Sequence, residues 1–241
     1  MSKEYEIFSL GDHSLTLQTG DKISLPVNAK MVTMAEWLRQ QHITGLQDAV
    51  PSYNSVTIIY DVYPIRKSGA QDAAAFMRER LEDAWEKAIP AQRTALPVNR
   101  LPVCYEEPYC LDKQEVMQAT ALHWEEIVQL HSERVYQVFL LGFLPGFPYM
   151  GVLPDVLKVA RKETPRQQVP AGSVGIAAGQ TGIYPVSSPG GWCILGCTPV
   201  PMFDPSLDHP TYFAAGDQVQ FYPISAEEFR TIKEKHRPDE H

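Results

Sequence analysis

The chain has 241 residues, a length that suits two modest domains or one large one. Hydrophobic residues make up 44% of it and charged residues 21%, which is typical of a globular protein with enough apolar material for a core. The formal net charge of −8 argues against general affinity for nucleic acid or anionic lipid. Neither a signal peptide nor a run of about 18 apolar residues is recognisable, so no membrane span and a cytoplasmic location are expected.

The first part of the chain alternates strand and helix patterns. A hairpin is predicted from Glu4–Leu10 and Ser14–Gln18, followed by a helix at Asn28–Gln41. A strand at Ser55–Val62 and a second helix at Ala70–Ala88 come next. Asn28 is expected to cap the first helix, because its side chain can accept a hydrogen bond from the first turn. The second helix has an apolar stripe opposite a charged face, as helices packed on a core do. These elements predict a small α/β sandwich domain over residues 1–92.

The second part, residues 93–241, has a different pattern of predicted secondary structure. A strand is predicted at Arg100–Tyr105, followed by helices at Asp112–Ala119 and His123–His131. Strand-like runs separated by turns rich in glycine and proline then occupy Val135–Phe143, Val174–Ala178, Trp192–Leu195 and Gln218–Tyr222. Such a series is typical of a closed or nearly closed β structure. Ser225 and Glu228 form a capping box that predicts a last helix, so the fold class is α+β.

Cysteines and histidines give little support for a metal site, and none is expected. The four cysteines form no C-x-x-C pair and lie in apolar or aromatic surroundings, which favours reduced, mostly buried thiols. The seven histidines lack the spacing of metal ligands. His131 stands at a predicted helix end, where a structural role favoured by the helix dipole is preferred over acid–base catalysis.

A long uncharged segment is the most unusual feature of the chain. No charged residue occurs from Gln167 to Phe203, while basic and acidic residues gather just before it, among them Arg161 and Arg166. A buried barrel wall explains the aliphatic residues of this segment, but buried hydroxyls and amides need hydrogen-bond partners. A concave site lined by neutral polar groups, with one or two arginines at its edge, fits as well. The residues alone leave the two interpretations even.

The segment Gly142–Tyr149 combines two prolines, two glycines and three aromatic residues. Proline stiffens the chain and glycine permits tight turns, so a rigid loop that presents aromatic side chains is predicted. Such loops are typical of lids, platforms and partner surfaces. The residues assigned to a partner surface are Phe143, Pro145, Gly146, Phe147 and Tyr149, although Phe147 also suits a core.

Several common nucleotide and nucleophile motifs are missing from the sequence. It has no G-x-x-x-x-G-K-[ST] phosphate loop and no G-x-G-x-x-G after a strand, so no ATP or dinucleotide site is predicted on this chain. Ala171–Gly175 has the spacing of a nucleophile elbow. Because the residues that follow are strand-like and not helical, Ser173 is not expected to be a nucleophile.

Short motifs that match those of a known protein family occur in order along nearly the whole chain. They include Val50–Ser55, Leu101–Tyr105, Leu141–Met150, Val169–Val174, Gln180–Pro185, Ser188–Trp192 and Gly216–Asp217. In this order they resemble the family of KipI and the B-type subunit of 5-oxoprolinase, also described as allophanate hydrolase subunit 1. The resemblance implies an N-terminal α/β domain followed by a C-terminal cyclophilin-like β-barrel. This agrees with the secondary-structure patterns predicted above for the two parts of the chain.

The same resemblance implies a function. The chain would be one subunit of a complex that hydrolyses 5-oxo-L-proline to L-glutamate with ATP. Its partners would be a larger homologous barrel subunit and a third subunit, and ATP would bind elsewhere in the complex. The residues expected to hold the substrate are Arg166, Gln180, Thr181, Tyr184, Ser188, Gly190, Gly191 and Trp192.

Among these, Arg166 is expected to pair with the substrate carboxylate through its planar guanidinium. A structural salt bridge from Arg166 to Asp204 or Glu163 is the alternative. No residue is assigned to proton transfer.

Two other functions remain open at the level of sequence. Some members of the family inhibit a sporulation sensor histidine kinase, and the aromatic loop would then contact the kinase. Related domains also transfer a carboxyl group carried by biotin, but this chain has no Met-Lys dipeptide of the kind that carries biotin.

Overall fold

The computed structural model describes residues 4–20, 24–89 and 97–235. The chain divides into two compact units, Met1–Ala95 and Leu96–His241. The expected domain boundary at residues 92 and 93 falls between the described ranges, so its position stays a prediction.

The first unit is a four-stranded antiparallel sheet with helices packed on it. Its strands are Tyr5–Ser9 (β1), Ser14–Thr19 (β2), Leu46–Pro51 (β3) and Ser55–Tyr60 (β4), in the spatial order β1-β2-β4-β3. Its helices are Leu25–Gln40 (α1), Val62–Lys67 (α2) and Ala73–Lys87 (α3). Met77, Leu81 and Ala84, from the predicted apolar stripe of α3, are fully buried in the core of this unit. The predicted hairpin, strand and two helices are confirmed, and the sequence missed β3 and α2.

The first helix begins earlier than predicted. Its N-cap is Ser24, whose hydroxyl accepts a hydrogen bond from the backbone N–H of Val27. The prediction that Asn28 caps the helix is wrong. The Asn28 side chain is fully buried and donates to the backbone carbonyls of Ser52 and Tyr53, so it ties α1 to the turn between β3 and β4.

The second unit is built around a closed seven-stranded barrel. Its strands are Val98–Cys104 (β5), Val135–Leu141 (β6), Pro148–Gly151 (β7), Ser173–Ala177 (β9), Gln180–Ile183 (β10), Cys193–Cys197 (β12) and Gln218–Ile224 (β13). Around the barrel they follow the order β10-β7-β6-β13-β5-β12-β9, and β10 closes it by pairing with β9. The α+β fold with a C-terminal barrel is therefore confirmed.

Two further strands form a separate ribbon beside the barrel. They are Arg166–Val169 (β8) and Ser188–Gly190 (β11), and their register pairs Gly190 with Arg166. The helices of this unit are Lys113–Thr120 (α4), Trp124–Ser132 (α5) and Ala226–Lys235 (α6). The ribbon helps to shape the candidate site, because it brings the residues after β11 next to those before β8.

Local sequence signals of this unit correctly predicted the start of its last helix and the state of its cysteines. The Ser225–Glu228 capping box is present at the start of α6, with the Ser225 backbone N–H donating to the Glu228 carboxylate at 2.8 Å. All four cysteines are free and buried, as expected. Within the three described ranges, no helix is long and apolar enough to cross a membrane.

Candidate functional site

An open pocket of about 290 Å³ lies beside the ribbon in the second unit. Four of the residues predicted to hold substrate line it: Tyr184, Gly190, Gly191 and Trp192. Three residues of the aromatic loop line it too: Phe143, Phe147 and Tyr149. The remaining lining residues are Arg161, Lys162, Pro165 and Pro189. The structure thus joins two segments that the sequence analysis singled out separately.

An aromatic cluster forms the floor of the pocket. Phe147 stands at its centre, with its ring centroid 5.2 Å from that of Tyr184 and 5.5 Å from that of Trp192, both in edge-to-face contact. The centroids of Tyr149 and Trp192 are 5.8 Å apart. Phe147 is only 1% exposed, so it supports the pocket from below and is not available to a partner. The loop presents Phe143, 65% exposed, at the rim instead.

The two adjacent glycines of the pocket have different roles. A Cβ atom at Gly190 would lie 2.3 Å from the Tyr184 hydroxyl oxygen, so the missing side chain is needed for packing. A Cβ atom at Gly191 would meet nothing closer than 3.6 Å, so this glycine leaves open space. The Gly191 carbonyl also accepts a hydrogen bond from the backbone N–H of Lys162 at 2.8 Å, which holds the segment before β8 against the pocket.

The lining of the pocket carries positive charge. None of its lining residues is acidic, and two are basic, Arg161 and Lys162. The Lys162 ammonium group is already neutralised, because it donates to Asp112 at 2.8 Å and also contacts the Glu115 carboxylate. Arg161, by contrast, forms no ion pair with an acidic side chain of the described residues. The guanidinium of Arg161 is therefore the cation free to attract a ligand.

Arg166 is held by Asp112, which corrects its expected role. Two guanidinium nitrogens of Arg166 donate to the two carboxylate oxygens of Asp112, each at 2.7 Å. This bidentate pair occupies the face that a substrate carboxylate would need. Arg166 does form a salt bridge, but the expected partners, Asp204 and Glu163, were wrong: its partner is Asp112.

Asp112 is the centre of a buried polar cluster. Its side chain is 2% exposed and also accepts a hydrogen bond from the backbone N–H of Ile194 at 2.7 Å. Burial alone would raise the pKa of Asp112, but the hydrogen bonds from Arg166, Ile194 and Lys162 outweigh it and hold the pKa below its ordinary value. The cluster joins the start of α4, the segment before β8 and strand β12 beside the pocket.

Three predicted substrate residues lie away from the pocket. Thr181 is fully buried in β10, and its hydroxyl donates to the Gly175 carbonyl and contacts His131. Gln180 begins the same strand, opposite Ala177 at the turn between β9 and β10. The Ser188 hydroxyl contacts the carbonyl of Pro189. None of the three lines the pocket, so their substrate role finds no support in the geometry.

Comparison with known proteins places the chain in a family. Residues 5–213 match the family described as "Carboxyltransferase domain, subdomain C and D". The chain is 36% identical to the B-type subunit of 5-oxoprolinase from Bacillus subtilis, over 98% of this chain and 99% of that protein. It is 37% identical to the corresponding 5-oxoprolinase subunit of Haemophilus influenzae, over 82% of this chain and 91% of that protein. The chain belongs to the family of B-type 5-oxoprolinase subunits.

A solved structure supports the same grouping. The crystal structure of TTHA0988 superimposes with a TM-score of 0.76 at 33% identity and covers 88% of this chain. This chain spans only 40% of TTHA0988, which is the longer protein. The resemblance read from the ordered motifs is confirmed.

The pocket of this family member suits binding better than bond cleavage. Burial raises the pKa of both Tyr149 and Tyr184. The charge of Arg161 at Tyr149 and the hydrogen bond from the Trp192 backbone at Tyr184 only partly oppose this, so both hydroxyls stay protonated at neutral pH. The guanidinium attracts an anion, and the aromatic floor accommodates a flat ring. A small, planar, anionic molecule is the ligand that these groups fit together.

His131 has a structural role, for a different reason from the one expected. It is fully buried, stacks on Phe221 with ring centroids 4.8 Å apart, and lies with Nδ1 2.8 Å from the Tyr105 hydroxyl. Because the Thr181 hydroxyl proton is used on Gly175, His131 Nε2–H donates to Thr181 and Nδ1 accepts from Tyr105. Burial lowers the pKa of His131 to about 3, so the imidazole is neutral and no helix dipole stabilises a cation there.

This buried histidine predicts a pH dependence of stability. Between the ordinary pKa of 6.5 and the folded-state value of about 3, the unfolded chain binds a proton that the folded chain does not. The free energy of unfolding therefore falls as the pH falls through this window, by up to about 1.4 kcal/mol per pH unit. His131→Gln is expected to remove this component of the slope between about pH 6 and about pH 4.5 in urea denaturation. The exposed His209 gives the control, since His209→Gln should keep the wild-type slope; equal slopes in all three proteins would contradict the assignment.

Proposed function

We propose that this chain is a subunit of an ATP-dependent 5-oxoprolinase that converts 5-oxo-L-proline to L-glutamate. The observation that carries the proposal is the 36% identity, over almost the full length of both chains, to the B-type 5-oxoprolinase subunit of Bacillus subtilis. The pocket supports it independently. 5-Oxo-L-proline is a small, nearly flat lactam with one carboxylate, and the pocket combines aromatic rings, protonated tyrosines and an unpaired guanidinium.

The reaction divides the work between this pocket and the rest of the complex. Water adds across the lactam C–N bond, so that the ring nitrogen becomes the amino group and the lactam carbonyl becomes the side-chain carboxylate of glutamate. An amide is a poor target for water, and ATP hydrolysis supplies the driving force. In this scheme the chain orients the lactam and excludes water from one face of the ring.

The pocket does not fit ATP itself. Three phosphate groups need several free cations or a loop of backbone N–H donors at a helix start, and among the lining residues only Arg161 is an unpaired cation. ATP therefore belongs on a companion subunit in this proposal, as does the residue that moves the proton. Hydrolysis in a complex that uses ATP also favours a cytoplasmic location.

The exposed rim of the pocket offers a surface for the companion subunit. Phe143 and Pro145 are exposed in the loop between β6 and β7, and Phe143 lines the pocket as well. A larger homologous barrel subunit seated on this loop would close the open side, and a third subunit would complete the enzyme. The same exposed loop would serve a histidine kinase equally well, so it does not favour the inhibitor alternative.

The proposal predicts that the purified chain alone releases no glutamate from 5-oxo-L-proline and ATP. Adding both companion subunits is expected to give glutamate and ADP in a fixed ratio, because only the assembly contains the ATP site. Amino-acid analysis and an ADP assay on the chain, on each pair of subunits and on the full set provide the measurement. Glutamate release by the chain alone would contradict the assignment of the ATP site to a companion subunit. An inactive full set of subunits would contradict the proposed function.

A further inference from the structure

Arg161 is the basic residue that the structure leaves without a carboxylate. Between residues 158 and 166, each of the other basic side chains is paired: Lys158 with Asp155 at 2.6 Å, and Lys162 and Arg166 with Asp112. Arg161 is exposed, lines the pocket and has no such partner among the described residues. An unpaired guanidinium beside an aromatic floor with no acidic lining residue is a ready site for an anion.

The backbone around Arg161 is fixed at the edge of the pocket. On its C-terminal side, the Lys162 N–H donates to the Gly191 carbonyl, and the Lys162 ammonium group is held by the buried Asp112. These contacts bring the start of the Arg161 side chain to the same edge as Gly191 and Trp192. The Arg161 side chain lines the same pocket as Tyr149 and Tyr184.

We infer that Arg161 binds the carboxylate of 5-oxo-L-proline and determines the preference for a carboxylated lactam, while Tyr149 and Trp192 hold the ring. This inference rests on the proposed function and assigns a residue within it. The planar fork of arginine can hold both carboxylate oxygens, whereas lysine offers only a point charge. Arg166, the arginine that sequence alone favoured, cannot take this role while its fork is on Asp112.

The test on the assembled enzyme separates binding from chemistry. Arg161→Gln is expected to raise KM for 5-oxo-L-proline by about 10- to 100-fold, the range of a lost charged hydrogen-bond pair, and to change kcat by less than about threefold. Arg161→Lys should lie between wild type and Arg161→Gln. For 2-pyrrolidinone, the same lactam without a carboxylate, wild type and variant should behave alike. Arg134 is exposed and does not line this pocket, so Arg134→Gln is the matched control and should keep the wild-type KM.

A binding measurement on the isolated chain makes the outcome independent of turnover. The indole N–H signal of Trp192, assigned in NMR spectra with Trp192→Phe, is expected to shift with 5-oxo-L-proline in wild type and much less in Arg161→Gln. If the assembly is active and Arg161→Gln keeps the wild-type KM, the inference is overturned and the proposed function stands. If the assembly is inactive, the proposed function fails, and the NMR titration decides whether Arg161 binds the ligand. Equal shifts in wild type and Arg161→Gln, or no shift in wild type, would overturn the role of Arg161.

Discussion

Replacing Asp112 by alanine is expected to lower the free energy of unfolding by about 3–5 kcal/mol, the cost of removing one partner from a buried ion pair. The Asp112 side chain is 2% exposed and accepts hydrogen bonds from Arg166, Lys162 and the backbone of Ile194. Without it, Arg166 loses its carboxylate partner, Lys162 keeps only the half-exposed Glu115, and the buried N–H of Ile194 loses this acceptor. Urea denaturation followed by circular dichroism at neutral pH measures the effect.

Glu115 provides the matched control for this prediction. Its carboxylate also contacts Lys162, but its side chain is 50% exposed. Exposed ion pairs contribute less than about 1 kcal/mol, so Glu115→Gln should be nearly neutral. Asp112→Asn, which keeps an acceptor for Ile194 and loses the charge, is expected to fall between the two. Losses of equal size in Asp112→Ala and Glu115→Gln would show that burial does not set the strength of this cluster.

The second large effect is expected at Gly190. Its Cβ atom in Gly190→Ala would stand 2.3 Å from the hydroxyl oxygen of Tyr184 and 2.7 Å from two of its ring carbons. Tyr184 is only 1% exposed and packs edge-to-face on Phe147, so the ring has little room to move. Overpacking of this kind costs about 1–3 kcal/mol, which thermal and urea denaturation would detect.

The neighbouring glycine separates packing from function. Gly191→Ala should keep wild-type stability, because its Cβ atom would meet only Pro165 and Lys162 at ordinary contact distances. A larger side chain in Gly191→Leu would extend into the open space at the pocket edge and exclude the ligand without disturbing the core. If Gly191→Ala destabilises the protein as much as Gly190→Ala, the assignment of open space at Gly191 is wrong.

Local sequence signals predicted the elements whose patterns are long enough to read. The apolar stripe of α3 repeats over four turns, and the capping box of α6 is visible in four letters. The cap of α1 was misassigned because Asn28 has a good capping side chain, while its actual use, a buried link to Ser52 and Tyr53, depends on tertiary contacts. The ribbon strands β8 and β11 have four and three residues, and Pro189 interrupts the second, so no periodicity could reveal them.

The site was predictable in part for the same reasons. Tyr184, Gly190, Gly191 and Trp192 belong to neighbouring motifs, but the uncharged segment around them fitted a buried barrel wall as well as a polar concave site. The choice between Arg161 and Arg166 could not be made from sequence, since it depends on Asp112, which lies 54 positions before Arg166 in the chain. Asp112 precedes helix α4, where a cap would be expected from sequence, but its side chain makes no cap and is committed to the cluster.

The measurement that tests the central claim most directly is ATP-dependent glutamate release by the assembled subunits with wild-type chain and with Gly191→Leu. The pocket account predicts that the assembly with wild-type chain converts 5-oxo-L-proline to glutamate. It also predicts that Gly191→Leu, although folded and assembled as judged by circular dichroism and size-exclusion chromatography, loses most of this activity. Full activity in the Gly191→Leu assembly would contradict the claim that this pocket holds the substrate.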